Sequence, residues 1–336
     1  MSWDCIRGQD AARNTFVAAV AAGRLAHSYL LVGPDGVGKR LFAHELAKAF
    51  LCEKPPATLT ACDRCPACAQ VKVGTHPDLL FLRTPTDKHE LPVDDMRAFC
   101  AQVSLKPTRG PRKIGIVEDA DDFNGSSANS FLKTLEEPPP GALLLLIATT
   151  TDRQLPTILS RCQIVRFAPL SPSDLKAVLA TQGIDDPAKR DRLARLGSGS
   201  VSRTLALDDD SIWEVRQRLV EGLTSLRPQF QALTEVWSKF HEDAGKETRP
   251  QRLRASLVLQ FLVEAVQHAL KFSLGATVSD LDAAEAAQLK SFAGRVGTDG
   301  LMELLDKFVE ADFHVERRVQ LILVVESVLA KFPREK

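Results

Sequence analysis

The chain has 336 residues, 44% of them apolar and 26% charged, with 43 basic residues against 43 acidic ones. That is the composition of an ordinary globular protein long enough for two or three domains. Zero net charge excludes a general nucleic-acid coat, and no apolar run approaches the roughly 20 residues that span a bilayer. The opening residues, MSWDCIRGQD, contain no basic segment followed by an apolar one, so no signal peptide is expected. A cytoplasmic location, with reduced thiols and no membrane contact, is the expectation.

Taken in order, the first half alternates strand and helix patterns. A short apolar run at 29–32 predicts a buried strand, and Phe42, Leu46 and Phe50 place one apolar face on a helix from 41. Strands are predicted at 79–82, 113–117, 143–148 and 164–167, and a helix at 126–136 that the prolines from Pro138 stop. This alternation predicts an α/β domain with a parallel sheet covered on both faces. From Ser171 a small helical segment runs to about 207, and three aspartates at 208–210 read as a boundary. Beyond them only amphipathic helices are predicted. The domains expected are 1–168, a helical lid at 169–207 and an all-α C-terminal domain at 208–336.

Between the first strand and its helix stands GPDGVGKR, at 33–40. Gly33, Gly36, Gly38 and Lys39 fit a phosphate-binding loop, in which backbone N–H groups turn toward phosphate oxygens and the lysine reaches the terminal phosphates. Arg40 takes the place of the Ser or Thr whose hydroxyl ligates magnesium, and a guanidinium has no lone pair for a metal. Either Arg40 points away and the loop is structural, or nucleotide binds without good magnesium coordination. The acidic motif after the third strand has Glu118 before Asp119, the reverse of the usual Asp–Glu order. Each carboxylate is then displaced by about a methylene, and errors near 1 Å cost roughly a hundredfold in rate. Efficient hydrolysis is not expected, while binding of ATP or ADP stays open. Thr149, at the end of the fourth strand, is placed to sense a γ-phosphate, with a capping threonine as the equal alternative.

Cys52, Cys62, Cys65 and Cys68 form a loop insert with Pro55, Pro56 and Pro66, and predict a closed, structural zinc site at 52–68. An iron–sulfur cluster is the weaker alternative, and His76 is a possible substitute ligand. Cys5, Cys100 and Cys162 are expected to be buried apolar residues. Lys106, Arg109, Arg112 and Lys113 lie in a run without acids. It reads as a solvated loop before a strand, with direct contact to DNA phosphates as the alternative. Arg161 precedes the fifth strand, at a rim from which an arginine can reach a neighbour's phosphate. By itself such an arginine is usually solvated.

Together, 33–39, the four cysteines, NSFLKTLEEPP at 129–139 and Ser160-Arg161-Cys162 resemble bacterial DNA polymerase III clamp-loader subunits of the AAA+ class. GRLAHSYL at 23–30 and the stretch 3–9, which would border an adenine pocket, add to the likeness. The resemblance covers about 1–207 and is weaker beyond, mainly at 312–325. It implies a five-stranded AAA+ sheet, a three-helix lid and a helical collar that joins a ring. Two kinds of member compete. Arg40, the Glu118–Asp119 order and the length fit the delta-prime branch, a stator with a decayed nucleotide site, better than the ATP-hydrolysing tau/gamma branch. The resemblance then implies that Arg161 is an arginine finger for a neighbouring tau/gamma subunit, and that Arg203 occupies the second-sensor position of the lid. It also implies tau/gamma and delta subunits as partners. The sliding clamp and primer-template DNA would be met through the complex, within a DNA polymerase holoenzyme. The alternatives are an active tau/gamma-like ATPase and a zinc-organised phosphate-loop adaptor outside replication.

Overall fold

The computed structural model describes all residues except 1–2, 55–58, 86–87, 228, 246–247, 279–280, 282, 317–318 and 333–336. They form two compact units, Met1–Asp208 and Asp209–Lys336. Pro55 and Pro56 of the cysteine insert lie outside the described residues.

The first unit runs α1 (Asp10–Ala21), β1 (Ser28–Val32), α2 (Lys39–Leu51), α3 (Pro66–Lys72), β2 (Leu79–Leu82) and α4 (Val93–Val103). It continues with β3 (Lys113–Val117), α5 (Gly125–Glu136), β4 (Ala142–Ala148), α6 (Pro156–Leu159) and β5 (Gln163–Arg166). Three short helices close it: α7 (Pro172–Thr181), α8 (Pro187–Leu196) and α9 (Val201–Ala206). The five strands pair in parallel in the order β2-β3-β4-β1-β5. The α/β expectation therefore holds, and each predicted strand lies within a residue of the observed one. The helices α1, α3, α4 and α6 are additional to those expected.

Strand side chains alternate between two faces, and the sequence fills both with apolar groups. Tyr29, Leu31, Ile114, Ile116, Leu143, Leu145 and Ile147 point into one core with Phe16 of α1 and Phe42 and Leu46 of α2. Leu30, Val32, Val117, Leu144 and Leu146 point into the other, with Met96 and Phe99 of α4 and Phe131 and Leu135 of α5. Phe42 is fully buried, with its ring 5.0 Å from Phe167 and 5.1 Å from Trp3. Burying one such side chain stabilises the unit by about 1.5–3 kcal/mol. Helix α5 begins with a reciprocal capping box between Asn124 and Ser127 and ends before the proline run. The strand order directs the loops after β1, β3 and β4 to the carboxyl end of the sheet, where a parallel sheet binds its ligands.

The second unit is helical among the described residues: α10 (Asp210–Thr224), α11 (Phe230–Glu242), α12 (Thr248–Ser273), α13 (Ala283–Glu316) and α14 (Leu321–Leu329). Gly297, at φ +74°, interrupts α13. Trp237, Phe261, Phe292 and Phe308 are fully buried in it. Arg216 of α10 makes a two-pronged pair with Glu285 of α13, at 2.6 and 3.0 Å. No described helix is long and apolar enough to cross a membrane.

Candidate functional site

The loop 33–38 leaves β1 and enters α2 through Gly38, whose φ of +97° suits a residue without Cβ. Gln9 fixes the loop from below, donating through Nε2 to the carbonyls of Val37 at 3.2 Å and Ala168 at 2.8 Å. Lys39 is buried and turned back on its own loop. Its Nζ donates to the carbonyl oxygens of Gly33 and Pro34 and lies 3.8 Å from the Asp35 carboxylate. Burial, ahead of the opposing pull of Asp35 and Asp121, holds its ammonium below the usual lysine range. The start of α9 presses on the same loop. Gly36 accepts the Val201 N–H at 2.9 Å, and a Cβ on Gly36 would stand 2.4 Å from Ser200 Oγ and 2.2 Å from Ser202 Oγ. Arg203, the expected second sensor, is on this helix, its N–H on Ser200 Oγ at 3.2 Å.

Arg40 does not point away, as one of its two expected readings required. Helix α2 carries it toward the end of β3, where Nε lies 3.0 Å from Glu118 Oε2 and a terminal nitrogen 3.8 Å from Asp119 Oδ1. Both carboxylates are buried and the guanidinium is half exposed. A cation supplied by the chain itself thus faces the pair that would serve a magnesium ion. Its N–H groups engage carboxylate lone pairs and offer none in return. His44, one turn along α2, stacks on Phe81 with ring centroids 4.7 Å apart and has Nε2 4.0 Å from Glu118. Burial, ahead of the opposing pull of Glu118, holds its imidazole below the usual histidine range. Asp119 Oδ2 accepts the Thr84 N–H at 3.3 Å.

Thr149 directly follows β4, and its N–H donates to Asp121 Oδ2 at 2.7 Å. Gln154 Nε2 donates to the other Asp121 oxygen at 3.1 Å, and burial pushes the Asp121 carboxyl up. Gly33, Gly36, Gly38, Lys39, Arg40, Glu118, Asp119 and Thr149 are all brought to one end of the sheet, as their positions after β1, β3 and β4 require.

Arg161 belongs to a different edge. It follows α6, and its guanidinium donates to Thr157 O at 2.9 Å and Ser160 Oγ at 3.0 Å and pairs with Glu136 at the end of α5.

The thiols of Cys52, Cys62, Cys65 and Cys68 lie within 4.8 Å of one another. The Cys52–Cys65 and Cys62–Cys68 sulfurs are each 4.0 Å apart. Tetrahedral zinc with bonds of about 2.3 Å needs sulfurs about 3.8 Å apart, so the four cysteines fit that ion. Backbone N–H groups support the sulfurs, from Cys62 to Cys52 and from Cys68 to Cys65, each at 3.4 Å. The Arg64 N–H, ahead of the other contacts, draws the Cys62 thiol down to about 6. Cys52 is the extended cap residue that follows α2, and Lys48 of α2 pairs with Asp63 of the insert at 2.8 Å. His76 stands outside the cluster: it is buried and its Nδ1 accepts the Asp78 N–H at 3.1 Å.

Residues 8–171 match the family model described as DNA polymerase III, delta subunit. The chain is 36% identical to DNA polymerase III subunit delta' of Pseudomonas aeruginosa over 63% of this chain and 66% of that one. It is 30% identical to subunit delta' of Escherichia coli over 68% of each chain. The chain belongs to the DNA polymerase III delta-prime family. A Bacillus subtilis delta' is 28% identical over 85% of this chain and 92% of its own length. The sheet of this delta-prime chain is five-stranded and parallel, with helices on both faces.

Two expectations need correction in the delta-prime chain. Cys162 is buried as expected, but Cys100 is only half-buried and Cys5 is exposed, because Trp3 takes the inward place, its indole N–H on Leu59 O at 2.8 Å. Trp3 packs on Phe42 in the core. The basic run is only partly solvated. Lys113 is buried in β3 and Arg112 lies over the Phe50 ring at 5.6 Å, while Lys106 and Arg109 are exposed.

Sequence reasoning left Asp121, Gln154, His44 and Ser200–Ser202 out of the site. Asp121 had a signal, a third carboxylate two residues past the acidic pair. Asp78, at the opposite end of the sheet just before β2, had no signal: it gathers the N–H groups of Thr108, Arg109 and Gly110, at 2.6–2.8 Å, from about thirty residues downstream.

Proposed function

We propose that this chain is a clamp-loader stator. It hydrolyses no ATP of its own and lends Arg161, as an arginine finger, to the nucleotide site of a neighbouring tau/gamma subunit while a sliding clamp is loaded onto primer-template DNA. Its partners in that ring are tau/gamma and delta subunits. Family membership supports the complex. The observation that carries the finer reading is the Arg40 guanidinium on Glu118 and Asp119, which sets a fixed cation where catalysis of phosphoryl transfer needs a divalent one. The fold of Lys39 onto Gly33 and Pro34, and the press of Ser200 and Ser202 on Gly36, favour the same view.

The division into a sheet domain at 1–168, a lid at 169–207 and a collar at 208–336 belongs to this proposal. So do the roles of Gly33, Gly36, Gly38, Lys39, Arg40, Glu118, Asp119, Thr149 and Arg203 as a vestigial nucleotide site. Cys52, Cys62, Cys65 and Cys68 would hold one structural zinc, which supplies no reaction chemistry because four thiolates leave no open position.

Two measurements test the reading. The isolated chain with Mg-ATP should show no turnover that Lys39→Ala abolishes; such turnover would establish an active ATPase instead. In a ring reconstituted with tau/gamma and delta, Arg161→Ala should preserve assembly and remove the DNA-stimulated ATPase of the site it serves, by about 10³-fold or more. Unchanged ATPase refutes the finger. Failure of the wild-type chain to assemble with those subunits refutes the clamp-loader role and favours the adaptor.

A further inference from the structure

Arg161 is tied down within its own chain. A guanidinium has five N–H groups, and three of those of Arg161 are placed on Thr157 O, Ser160 Oγ and Glu136 Oε1. The two terminal nitrogens, the edge with which arginine grips a phosphate in two-pronged fashion, are the ones engaged. The seat is built from consecutive residues at the start of β1. His27 Nε2 bonds the carbonyl of Leu135, next to Glu136, at 3.0 Å. Ser28 Oγ donates to the backbone carbonyl of Arg161 at 2.6 Å. Both partners of the ion pair are thus anchored by backbone, while their side chains keep 31% and 49% exposure, at a rim open to another molecule.

We propose that Glu136 parks Arg161. Engagement of a phosphate held by a neighbouring subunit exchanges one anion for another on the same guanidinium edge, and Glu136 opposes that exchange by competing for it. The inference rests on the reading of Arg161 as a finger and adds a positioning residue that acts through it. No bond is made or broken; the guanidinium leaves a carboxylate for a phosphate and keeps its proton. Because the finger acts on the transition state, parking lowers kcat and leaves KM, set by the neighbour's own loop, nearly unchanged.

The test uses the reconstituted ring with clamp, primer-template and ATP, and this chain as wild type, Glu136→Gln, Glu136→Asp, Arg161→Ala and the Glu136→Gln/Arg161→Ala double variant. Glu136→Gln keeps the shape and removes the charge. The expected result is a rise in kcat of about two- to fivefold, the factor an exposed ion pair is worth, with unchanged KM. Glu136→Asp should restore the wild-type rate, and Glu136→Gln should do nothing in the Arg161→Ala background. A kcat lowered or unchanged by Glu136→Gln while Arg161→Ala still abolishes turnover overturns the parking role and leaves the finger standing. An effect of equal size in the Arg161→Ala background also overturns it. If Arg161→Ala leaves turnover intact, the finger itself falls and takes parking with it.

Discussion

Arg40→Ala separates a structural guanidinium from a solvated one. The substitution removes the cation between Glu118 and Asp119, whose side chains keep only 9% and 6% exposure. At 3.0 Å and an effective dielectric near 20, the pair with Glu118 has a gross Coulomb energy of about 5 kcal/mol. Arg40 is 51% exposed, so water screens much of that, and the net worth lies between an exposed pair and a buried one, about 1–3 kcal/mol. A loss of 2 kcal/mol speeds globally exchanging amides about thirtyfold. Hydrogen exchange of the β1 and β3 amides reads this unit separately from the C-terminal helices, so it is the assay of choice. Magnesium supplies the second arm. With Arg40 gone, two adjacent carboxylates accept a divalent cation, and at ten times its dissociation constant the ion returns about 1.4 kcal/mol. Magnesium should therefore slow exchange in Arg40→Ala and leave the wild type unaffected. Exchange unchanged by the substitution, or slowed by magnesium in the wild type, refutes the internal-cation argument.

Three further outcomes are expected. Burial works to raise the Asp78 carboxyl, but the N–H groups of Gly110, Thr108 and Arg109 overcome it and hold it below its ordinary value of 3.8. A lowered native value gives stability that is complete at neutral pH and is lost as pH falls below 3.8 through the native value. Asp78→Asn should cost about 2–3 kcal/mol at pH 7 and flatten that acid limb of a pH-stability curve; an unchanged curve counts against the three-bond capture. Gly36→Ala places a Cβ 2.2 Å from Ser202 Oγ at φ +75°, and should lower stability by about 1–3 kcal/mol in denaturant titration, with Gly36→Ala/Ser202→Gly recovering part. Chelation of the purified chain should release about one zinc and loosen amides of 59–73 first, and Cys65→Ser should purify without the metal; metal analysis that finds none removes the zinc assignment.

The sheet was legible because each strand is a short apolar run bounded by turn residues, and β4, buried from end to end, is the plainest case. The phosphate loop and cysteine cluster were legible because their spacing is local: neighbours in sequence become neighbours in space. What escaped is long-range. Nothing near Ser200 or Ser202 signals that 160 residues away Gly36 leaves room for their hydroxyls. Arg40 was legible as a defect, yet its contact with Glu118 depends on how α2 lies across β3, which periodicity does not encode. Cys5 was misjudged because average burial speaks for the residue type, and a tryptophan two positions earlier took the inward place.

The order β2-β3-β4-β1-β5 has a bearing on how the molecule is made. The earliest strand to be synthesised is flanked in the finished sheet by two that come more than a hundred residues later. Until position 148 has been added, Tyr29, Leu30 and Leu31 have no hydrogen-bonding ladder to join, and closing so long a loop is slow. The apolar first strand therefore stays bare until the fourth is made, and its exposure to aggregation lasts as long.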